Sequence, residues 1–413
     1  MHEAFRHWQI QHPLTAYPLY SPHYFMRLAL EEAQKGWFAA RPNPMVGCLL
    51  VDAHTHEILA KGHHAIYGEA HAEVNALRDF HNKHPHQNPS QVVAYITLEP
   101  CCHTGKTPPC VEALIHAGIQ NVVVGLVDAN PLVAGQGIHR LKEAGIAVEV
   151  FSESTSVEEA SLMEGNRLLN ASFLGGFSQK RPYTALKIAQ TLDGKIATRT
   201  GHSQWGSGEI ARAWVHDMRG GFDSILSTAQ TVLADEAQLT VRTPSWDYTT
   251  QGGTPPRRII LDRSFRFADV KSHLILETSQ AETWLCVDTK QIKAHPEACQ
   301  RLEDLGVKLF PFCFEGEDLT PFLEALFQAG VRSLWVEAGG RLASALHRAS
   351  VIEDYYIVMS PKCLGDSQAI PAWSLGQGES VPLRLEEASV WRLQQARVLG
   401  QDVLLHLKGE MTT

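Results

Sequence analysis

The sequence predicts an α/β fold built as two successive domains. A chain of 413 residues is longer than one ordinary hydrophobic core requires, so two domains of roughly 150 to 230 residues are expected. Short apolar runs that suit buried strands alternate with segments of helical periodicity, which is the pattern of a sheet covered by helices. A second series of this kind begins near residue 180 and differs in pattern from the first. Each series therefore predicts a sheet of its own.

The first domain is predicted over residues 21–152, after an N-terminal extension of residues 1–20 that shows no clear periodicity. Ser21 followed by Pro22 indicates a helix start, because serine caps a helix and proline is tolerated in its first turn. The predicted strands are 46–51, 57–61, 92–98, 122–127 and 147–151, and the predicted helices are 23–35, 70–80, 108–117 and 138–144.

Residues 153–178 are predicted as a connecting helix and linker between the domains. Ser156 and Glu159 form a capping box at the start of this helix, and the pair Gly175-Gly176 is expected to end it. The second domain is predicted over residues 179–413, with a long surface loop at 243–256. Its predicted strands are 183–189, 224–226, 258–261, 284–287, 308–311, 333–337, 355–359 and 403–407.

The composition argues against several classes of protein. A formal charge of -9 does not suit a nucleic-acid surface, which normally shows a basic excess. No run approaches the roughly 18 apolar residues of a membrane span, and the N-terminus lacks the features of a secretory signal. The eight cysteines are scattered rather than arranged as a disulfide framework, so a reducing, cytoplasmic location is expected.

A histidine, a glutamate and two cysteines carry the chemistry of the first domain. A catalytic Zn²⁺ takes three protein ligands and keeps a fourth position for water, and His71, Cys101 and Cys110 supply one nitrogen and two thiolates. Each ligand is expected where a loop meets a helix start, a place that favours thiolate over thiol. Glu73 is expected to take a proton from the zinc-activated water and pass it to the leaving amine. The set predicts one zinc ion per chain.

This combination of H-A-E with P-C and a further cysteine is the signature of zinc nucleobase deaminases. The sequence departs from their usual spacing, because eight residues rather than two separate Cys101 from Cys110. The alternative interpretation is a core histidine near buried free thiols.

The first domain closely resembles a known family over residues 23–150. The matching segments are Leu98–Cys110 (LEPCCHTGKTPPC), Pro42-Asn43-Pro44 and His71-Ala72-Glu73-Val74, and the family is the bifunctional deaminase/reductase of riboflavin biosynthesis. The resemblance implies a cytidine-deaminase-like α/β/α domain. It also implies a phosphoribosylated substrate, 2,5-diamino-6-(5-phosphoribosylamino)pyrimidin-4(3H)-one, whose pyrimidine contacts Asn43.

Three other positions of the first domain bear on the substrate pocket. Met45 stands where this family usually has a polar residue after Asn-Pro. His103 and Lys106 are further candidates for the ribose phosphate, although both are also ordinary residues for an exposed loop.

The second domain has no G-x-G-x-x-G fingerprint after a strand. Its strand at 333–337 is followed by Gly339-Gly340 and a predicted helix at 341–349. A helix N-terminus behind a glycine turn is suited to an anion such as a cofactor diphosphate. The same arrangement also occurs as a plain structural joint.

Three further segments of this domain, 186–197, 203–205 and 231–242, resemble the reductase domain of the same family, over about 180–410. That resemblance implies a dihydrofolate-reductase-like α/β fold that uses NADPH. The implied cofactor-binding residues are Ala189, Trp205, Thr231, Asp235, Gly339 and Gly340, and the implied substrate-binding residues are Ser203, Arg219, Leu239, Arg242 and Glu337.

Arg219 and Arg242 suit a ribose 5-phosphate because guanidinium binds phosphate in a bidentate manner. The alternative is that both arginines pair with surface acids.

The sequence as a whole predicts a bifunctional enzyme: a deaminase followed by an NADPH-dependent reductase that yields 5-amino-6-(5-phosphoribitylamino)uracil. Its partners are expected to be small phosphoribosyl pyrimidines, without nucleic acid or membrane, and a homo-oligomer (dimer or tetramer) is expected. Two alternatives remain open. One is a tRNA-type or free-nucleoside deaminase fused to an unrelated domain, and the other is a non-enzymatic scaffold that binds a nucleotide.

Overall fold

The computed structural model describes residues 2–103, 108–128, 134–153, 155–203, 206–316, 318–373, 386 and 388–409. The chain divides into two compact units, Met1–Ser178 with Thr249–Gly253, and Gln179–Tyr248 with Thr254–Thr413. Each unit has a sheet with helices packed against it, which confirms the α/β class. The first unit is larger than the predicted deaminase domain of residues 21–152, because it also includes the predicted extension and connector and residues 249–253, which the sequence-based limits assign to the second domain.

The first unit contains the helices and strands of the predicted N-terminal extension, deaminase domain and connector. In chain order these are α1 (His2–Gln11), α2 (Pro22–Ala33), β1 (Gly47–Asp52), β2 (Ile58–His63), α3 (Ala72–Lys83), β3 (Val92–Leu98), α4 (Cys110–His116), β4 (Asn121–Leu126), α5 (Gln136–Glu143), β5 (Ala147–Val150), α6 (Val157–Leu169) and α7 (Ala171–Gln179).

The sheet of the first unit lies between two layers of helices. Its strands have the order β2-β1-β3-β4-β5, with β1 antiparallel to its two neighbours and β3, β4 and β5 parallel. Helices α3, α4 and α5 cover one face, around a core that includes Leu50, Phe80 and Val124. Alternate residues of a strand point to opposite faces, and Gly47 faces Ala29 of α2. Helices α2 and α6 therefore cover the other face.

Two elements of this unit differ from the sequence-based expectation. The N-terminal extension contains a helix, α1, whose Phe5 and Trp8 are buried. The glycine pair Gly175-Gly176 does not end the connector, because a second helix, α7, runs through it. Both helices show that tertiary packing can outweigh weak local propensity.

The second unit is a larger α/β structure. In chain order its elements are β6 (Tyr183–Thr191), β7 (Lys195–Ala197), α8 (Glu209–Arg219), β8 (Ser224–Thr228), α9 (Ala229–Asp235), α10 (Tyr248–Gln251, largely grouped with the first unit), β9 (Arg257–Leu261), β10 (Thr283–Asp288), α11 (Thr289–Ala294), α12 (Pro296–Asp304), β11 (Lys308–Phe312), α13 (Thr320–Gln328), β12 (Ser333–Glu337), α14 (Gly340–Arg348), β13 (Asp354–Ser360), β14 (Ile370–Pro371), β15 (Trp391–Leu399) and β16 (Asp402–Gly409).

The main sheet of the second unit has the order β11-β10-β9-β8-β12-β6-β13-β16-β15. The strands from β11 to β13 are parallel, and β16 and β15 run antiparallel at the end. Helices α13 and α14 pack on one face, through Leu323 and Leu346. On the other face Trp214 of α8 packs on Trp335 and Tyr356. The carboxyl ends of the parallel strands meet at one edge, which is where open α/β sheets bind ligands.

The sequence did not indicate three strands of this unit. β7 and β14 form a short two-stranded ribbon, and β15 pairs with β16 at the end of the main sheet. Residues of β15 such as Leu393 and Val398 are exposed, so the strand lacks the alternation of buried and exposed positions on which the prediction of strands depends.

Candidate active sites

The three predicted zinc ligands of the first unit come from two helix starts and one loop. His71 is the N-cap of α3, and Cys110 is the first residue of α4, directly after Pro109. Cys101 lies in the loop that follows β3 rather than at a helix start, which corrects the expectation for this ligand. Its Sγ accepts a hydrogen bond from the backbone N–H of Cys110 at 3.4 Å. The start of α4 thus holds both sulfur ligands in position.

The ligand atoms have the separation that a zinc ion requires. Nδ1 of His71 lies 3.6 Å from Sγ of Cys101 and 3.3 Å from Sγ of Cys110, and the three atoms all lie within 4.8 Å of one another. Ordinary Zn–N and Zn–S bonds at a tetrahedral angle place such a nitrogen and sulfur about 3.6 Å apart. Hydrogen bonding by Cys110 and His71 lowers the pKa of Cys101, which favours the thiolate. The donor set fits zinc with one position left for another ligand.

Glu73 lies in the first turn of α3 beside these ligands. Its side chain is buried, with 3% of the residue exposed, and its carboxyl contacts the thiol of Cys110. Burial, together with the negative charge of Cys101, raises the pKa of Glu73 to about 7. A carboxyl whose pKa lies near neutrality is suited to accept and return a proton.

Asn43 and His64 form a neighbouring part of the same site. The amide Nδ2 of Asn43 lies 3.3 Å from Nε2 of His64, and the His64 ring meets that of His71 edge-on at 5.0 Å. Burial and the nearby His71 lower the pKa of His64 to about 4, so its imidazole is neutral at pH 7. The sequence analysis did not identify His64, because a histidine after a strand end has no diagnostic spacing.

Glu99 holds the loop that carries Cys101. This buried residue directly follows β3 and precedes Pro100. It accepts hydrogen bonds from the backbone N–H groups of Asp128, Gly135, Gly137 and Ile138, at 3.1, 2.9, 2.8 and 3.2 Å. A Cβ atom at Gly137 would lie 2.0 Å from the carbonyl oxygen of Pro100. The backbone before Cys101 is therefore packed directly against the start of α5.

The candidates for the ribose phosphate in this unit remain predictions. His103 is exposed, and Lys106 lies outside the described residues. Within the part of the chain that the structure describes, His71, Cys101 and Cys110 form the one cluster of histidine, cysteine or acidic residues with metal-ligand spacing.

A partly buried ion pair lies at the carboxyl end of the parallel strands in the second unit. Nε and Nη2 of Arg219 donate to the two carboxylate oxygens of Glu337 at 2.6 and 3.0 Å. Nε1 of Trp335 also donates to Glu337, at 2.8 Å, and Nη1 of Arg219 donates to the carbonyl oxygen of Thr240 at 2.8 Å. Arg219 is thus fixed by groups of the site itself rather than by a surface acid.

The charges around Glu337 keep it ionised. Burial by itself would raise the pKa of Glu337, but Arg219, Lys187 and the Trp335 N–H lower it to about 2. Lys187 is its neighbour across the β6–β12 pairing, and burial lowers the pKa of Lys187. The sequence analysis gave Lys187 no role, although a lysine inside an apolar strand was the available signal.

Arg242 lies next to this pair and is more exposed. Its Nη1 donates to Oε1 of Gln238 at 2.9 Å and to Oγ1 of Thr240 at 2.7 Å. His216 contacts both arginines, since its Nε2 lies 3.4 Å from Nη2 of Arg242 and its Nδ1 lies 3.4 Å from Nη1 of Arg219. Burial and the two guanidinium charges lower the pKa of His216 to about 4. A neutral imidazole therefore lies between the two cations at pH 7.

Three more predicted residues of the second unit, Ser203, Asp235 and Leu239, lie near these charged groups. Oγ of Ser203 donates to Oδ1 of Asp235 at 2.7 Å, and the charge of Asp235 acts on Lys187. Leu239 is buried and has a φ of 51°. The structure thus brings the predicted substrate residues close to part of the predicted cofactor set.

The other predicted cofactor positions lie at strand and helix ends. Ala189 is in β6 opposite Val358, and Thr231 is in the first turn of α9. Gly339 is the N-cap of α14, and no atom lies within 4 Å of the place where a Cβ would stand. This open approach to a helix N-terminus fits the diphosphate of a nicotinamide cofactor. Trp205 lies outside the described residues.

Comparisons with known proteins agree with the two sites. Residues 20–126 match the model of the cytidine and deoxycytidylate deaminase zinc-binding region, and residues 182–403 match that of the RibD C-terminal domain. The riboflavin biosynthesis protein RibD of Escherichia coli (strain K12) is 37% identical over 94% of this chain and 99% of its own length.

Solved structures give the same result. Acinetobacter baumannii RibD has a TM-score of 0.80 and 32% identity, covering 94% of this chain and 98% of its own. The diaminohydroxyphosphoribosylaminopyrimidine deaminase/5-amino-6-(5-phosphoribosylamino)uracil reductase of Thermotoga maritima has a TM-score of 0.76 and 28% identity, covering 94% and 98% of the two chains.

The fold and the two sites define a zinc-binding deaminase joined to a reductase. This chain belongs to the RibD family, the bifunctional deaminase/reductases of riboflavin biosynthesis. The predicted activities are confirmed, as are zinc and NADPH as the cofactors. Across the described residues, none of the helices has both the length and the apolar character needed to cross a bilayer.

Proposed function

We propose that the first unit deaminates 2,5-diamino-6-(5-phosphoribosylamino)pyrimidin-4(3H)-one and that the second reduces the deaminated product to 5-amino-6-(5-phosphoribitylamino)uracil. The observation that carries this proposal is the buried Glu73 carboxyl packed against the His71, Cys101 and Cys110 ligand set. The relative from Thermotoga maritima, which is named for both reactions, supports the same pair of substrates.

In the deamination, the residues of the site bind the base and move protons. Asn43, whose amide lies beside His64, orients the pyrimidine. Glu73 takes a proton from the attacking water and delivers one to the departing amine, which leaves as ammonia. Zinc, when bound to His71, Cys101 and Cys110, supplies the Lewis acidity that activates this water. Because the site is buried, bulk water is kept away and cannot exchange protons with the reacting groups.

In the reduction, the residues of the second unit bind and orient the substrate. Arg242 and Arg219 provide positive charge for the ribose 5-phosphate, with Ser203 and Leu239 lining the same site. Glu337 is an anion throughout, because its pKa is about 2, so it accepts hydrogen bonds from sugar hydroxyls. Ala189, Trp205, Thr231, Asp235, Gly339 and Gly340 hold NADPH, which supplies the hydride that converts the opened ribosyl group to ribityl.

The cellular location, partners and oligomeric state of the enzyme are part of the proposal. We propose a cytoplasmic enzyme that acts on small molecules, without nucleic acid, as a homo-oligomer (dimer or tetramer). The negative formal charge of the chain supports the exclusion of nucleic acid, since nucleic-acid surfaces normally carry basic excess.

A coupled assay on the full chain tests the proposal. With the diaminopyrimidine phosphate as substrate, we expect one ammonia to be released and one NADPH to be oxidised per molecule, in that order. Ammonia release from cytidine or from tRNA at a comparable rate would favour the nucleoside or tRNA deaminase alternative. NADPH binding without turnover in the presence of the deaminated pyrimidine would favour the scaffold alternative.

A further inference from the structure

A buried asparagine outside the sheet holds the backbone of the loop that carries Asn43. Asn170 follows the last turn of α6 and is 1% exposed. Its Oδ1 accepts a hydrogen bond from the N–H of Met45 at 2.8 Å, and its Nδ2 donates to the carbonyl oxygen of Met45 at 3.1 Å. One carboxamide thus satisfies both backbone groups of Met45, as a neighbouring strand would do.

These hydrogen bonds belong to a buried polar network that reaches β3, the strand before the loop that carries Cys101. Nδ2 of Asn170 also donates to Oδ1 of Asn166 at 3.0 Å, and Nδ2 of Asn166 donates to the carbonyl oxygen of Thr97. Oγ1 of Thr97 in turn accepts the N–H of Gly47 at 3.1 Å. Thr97 lies in β3, which leads to Glu99 and Cys101, so one network supports both sides of the deaminase site.

The sheet packs closely against Asn166 at Gly125. A Cβ atom at Gly125 would lie 2.7 Å from the carbonyl oxygen of Thr97 and 3.2 Å from Nδ2 of Asn166. Gly125 is in β4, so the sheet approaches α6 closely at this point. This close approach holds α6 near enough to the sheet for Asn166 to reach Thr97 and for Asn170 to reach Met45.

The same network accounts for the way in which Met45 is held. Met45 is 8% exposed and its side chain lies near Gly36, so it packs in the core. Its backbone, rather than its side chain, is the part held by polar contacts. Asn43 precedes it by two residues and contacts His64, which places the clamped backbone directly behind the pyrimidine-binding residue.

We infer that Asn170 is a positioning residue for the deaminase reaction, because its carboxamide clamps the backbone of Met45 and thereby fixes Asn43 against the pyrimidine. The inference rests on the proposed role of Asn43. Asn170 uses its one acceptor and both amide donors in this arrangement, so no smaller or differently charged side chain reproduces it. Loss of the clamp leaves two buried backbone groups unpaired, which favours displacement of the loop.

The test uses the full chain with three single variants at two positions, one double variant that combines the two alanine changes, and one matched control. Asn170→Ala removes the carboxamide, and the isosteric Asn170→Asp keeps the acceptor but loses both donors. Asn43→Ala removes the proposed pyrimidine contact itself. Asn88→Ala is the control, because Asn88 also accepts a backbone hydrogen bond, from Ser90 at 3.1 Å, but in an exposed turn remote from the site.

Deaminase kinetics distinguish positioning from loss of structure. We expect both Asn170 variants to raise the KM for the diaminopyrimidine by about tenfold or more, with kcat within about threefold of wild type and one zinc per chain retained. Reductase turnover on the deaminated pyrimidine should be unchanged. The Asn43→Ala/Asn170→Ala double variant should be no worse than Asn43→Ala, because both changes act through one residue. Fully additive losses, or a wild-type KM in Asn170→Asp, would overturn the inference.

Hydrogen exchange decides the question independently of turnover. Peptides that cover residues 42–48 should exchange faster in both Asn170 variants, and those around residue 88 should not. Unchanged exchange at 42–48 would overturn the clamp even if KM rises. If wild type releases no ammonia from the diaminopyrimidine, the proposed function fails, whereas the exchange result still supports or overturns the role of Asn170.

Discussion

Two glutamates, one buried and one partly buried, show that the surroundings of a carboxyl group decide whether it exchanges protons or stays ionised. Glu73 lies beside a thiolate in the deaminase site, and burial with that negative charge raises its pKa to about 7. Burial acts on Glu337 in the same direction, but Arg219 and Lys187 outweigh it and lower the pKa to about 2. The first carboxyl can therefore exchange protons near neutral pH, whereas the second is a permanent anion that accepts hydrogen bonds.

Replacement of Glu73 tests its role as the proton carrier. Glu73→Gln keeps the size of the side chain but cannot accept a proton, so we expect ammonia release to fall by roughly 100- to 10,000-fold. Zinc content, measured by metal analysis, should stay at one per chain, since Glu73 is not a ligand. Turnover close to that of wild type would remove Glu73 from the mechanism.

Arg242 is the better probe of the phosphate site, because removal of Arg219 would leave the partly buried Glu337 without its ion-pair partner. Arg242→Ala should raise the KM of the reductase for the phosphorylated substrate by about 10- to 100-fold, the effect of losing one or two charge-assisted hydrogen bonds. A dephosphorylated substrate should be affected much less.

Arg257 supplies the control for this change, since it pairs with Glu282 at the start of β9, the opposite end of the sheet from the carboxyl-end site. Arg257→Ala should leave both KM values unchanged. Equal losses for the two substrates in Arg242→Ala would contradict a phosphate contact.

The low pKa of Glu337 predicts a loss of stability in acid. The folded pKa, about 2, lies below the ordinary value of 4.5, so the stabilisation is complete above pH 4.5 and is lost as the pH falls towards 2. The contribution is on the order of 3 kcal/mol. The free energies of unfolding of wild type and Glu337→Gln, from urea titrations, should converge over that range. A constant difference between pH 5 and pH 2.5 would refute this assignment.

At the scale of elements, the deaminase ligands depend on the contact between α5 and the loop after β3. Gly137→Ala would place a methyl group 2.0 Å from the carbonyl oxygen of Pro100 and so displace Cys101. We expect zinc affinity, measured by competition with a chelator, to fall by about tenfold or more, as for other changes that disturb ligand orientation. Reductase turnover should be unaffected.

A second glycine at the start of α5 separates this clash from backbone strain. Gly135 has a φ of 76° and open space around its Cβ position, so Gly135→Ala costs roughly 1 kcal/mol of strain without a collision. Its zinc affinity should match that of wild type. If the two variants lose zinc equally, the contact with Pro100 is not the cause.

The starts of α3 and α4 were predicted to within two residues, because the H-A-E motif opens α3 and the pair Pro108-Pro109 directly precedes α4. Helix α7 could not, since its glycines have low helix propensity and the helix depends on packing. Strand β15 was not predicted either, because its residues do not alternate between buried and exposed positions. Local sequence patterns thus identify helices and strands that are specified by their own residues. They miss helices and strands that are stabilised by contacts with other parts of the fold.

The same distinction applies within the sites. His71, Glu73, Cys101 and Cys110 lie in short motifs whose chemistry is recognisable, whereas His64 joins them through the fold. His216 and Lys187 lie beside predicted residues of the second unit but belong to no motif with metal or phosphate spacing. Their roles depend on contacts that sequence order does not reveal.

At the scale of the whole molecule, the two activities should be separable, because each has its own sheet and its own ligands. Removal of zinc with a chelator should stop ammonia release from the diaminopyrimidine. NADPH oxidation on the deaminated pyrimidine should continue at the same rate, since no zinc ligand was found among the described residues of the second unit. Added zinc should restore deamination. Loss of both activities on chelation would show that the halves depend on one another.

The polar chain from Met45 through Asn170 and Asn166 to Thr97 also bears on how the molecule can be dissected. The sequence places the end of the deaminase domain near residue 152, where the last strand of its sheet finishes. A fragment cut there would retain every zinc ligand but lose both asparagines together with α6, and it would leave the carbonyl oxygen of Thr97 and both backbone groups of Met45 without these partners. We therefore expect a stable deaminase fragment to need the chain at least as far as Asn170, inside what the sequence presents as a linker.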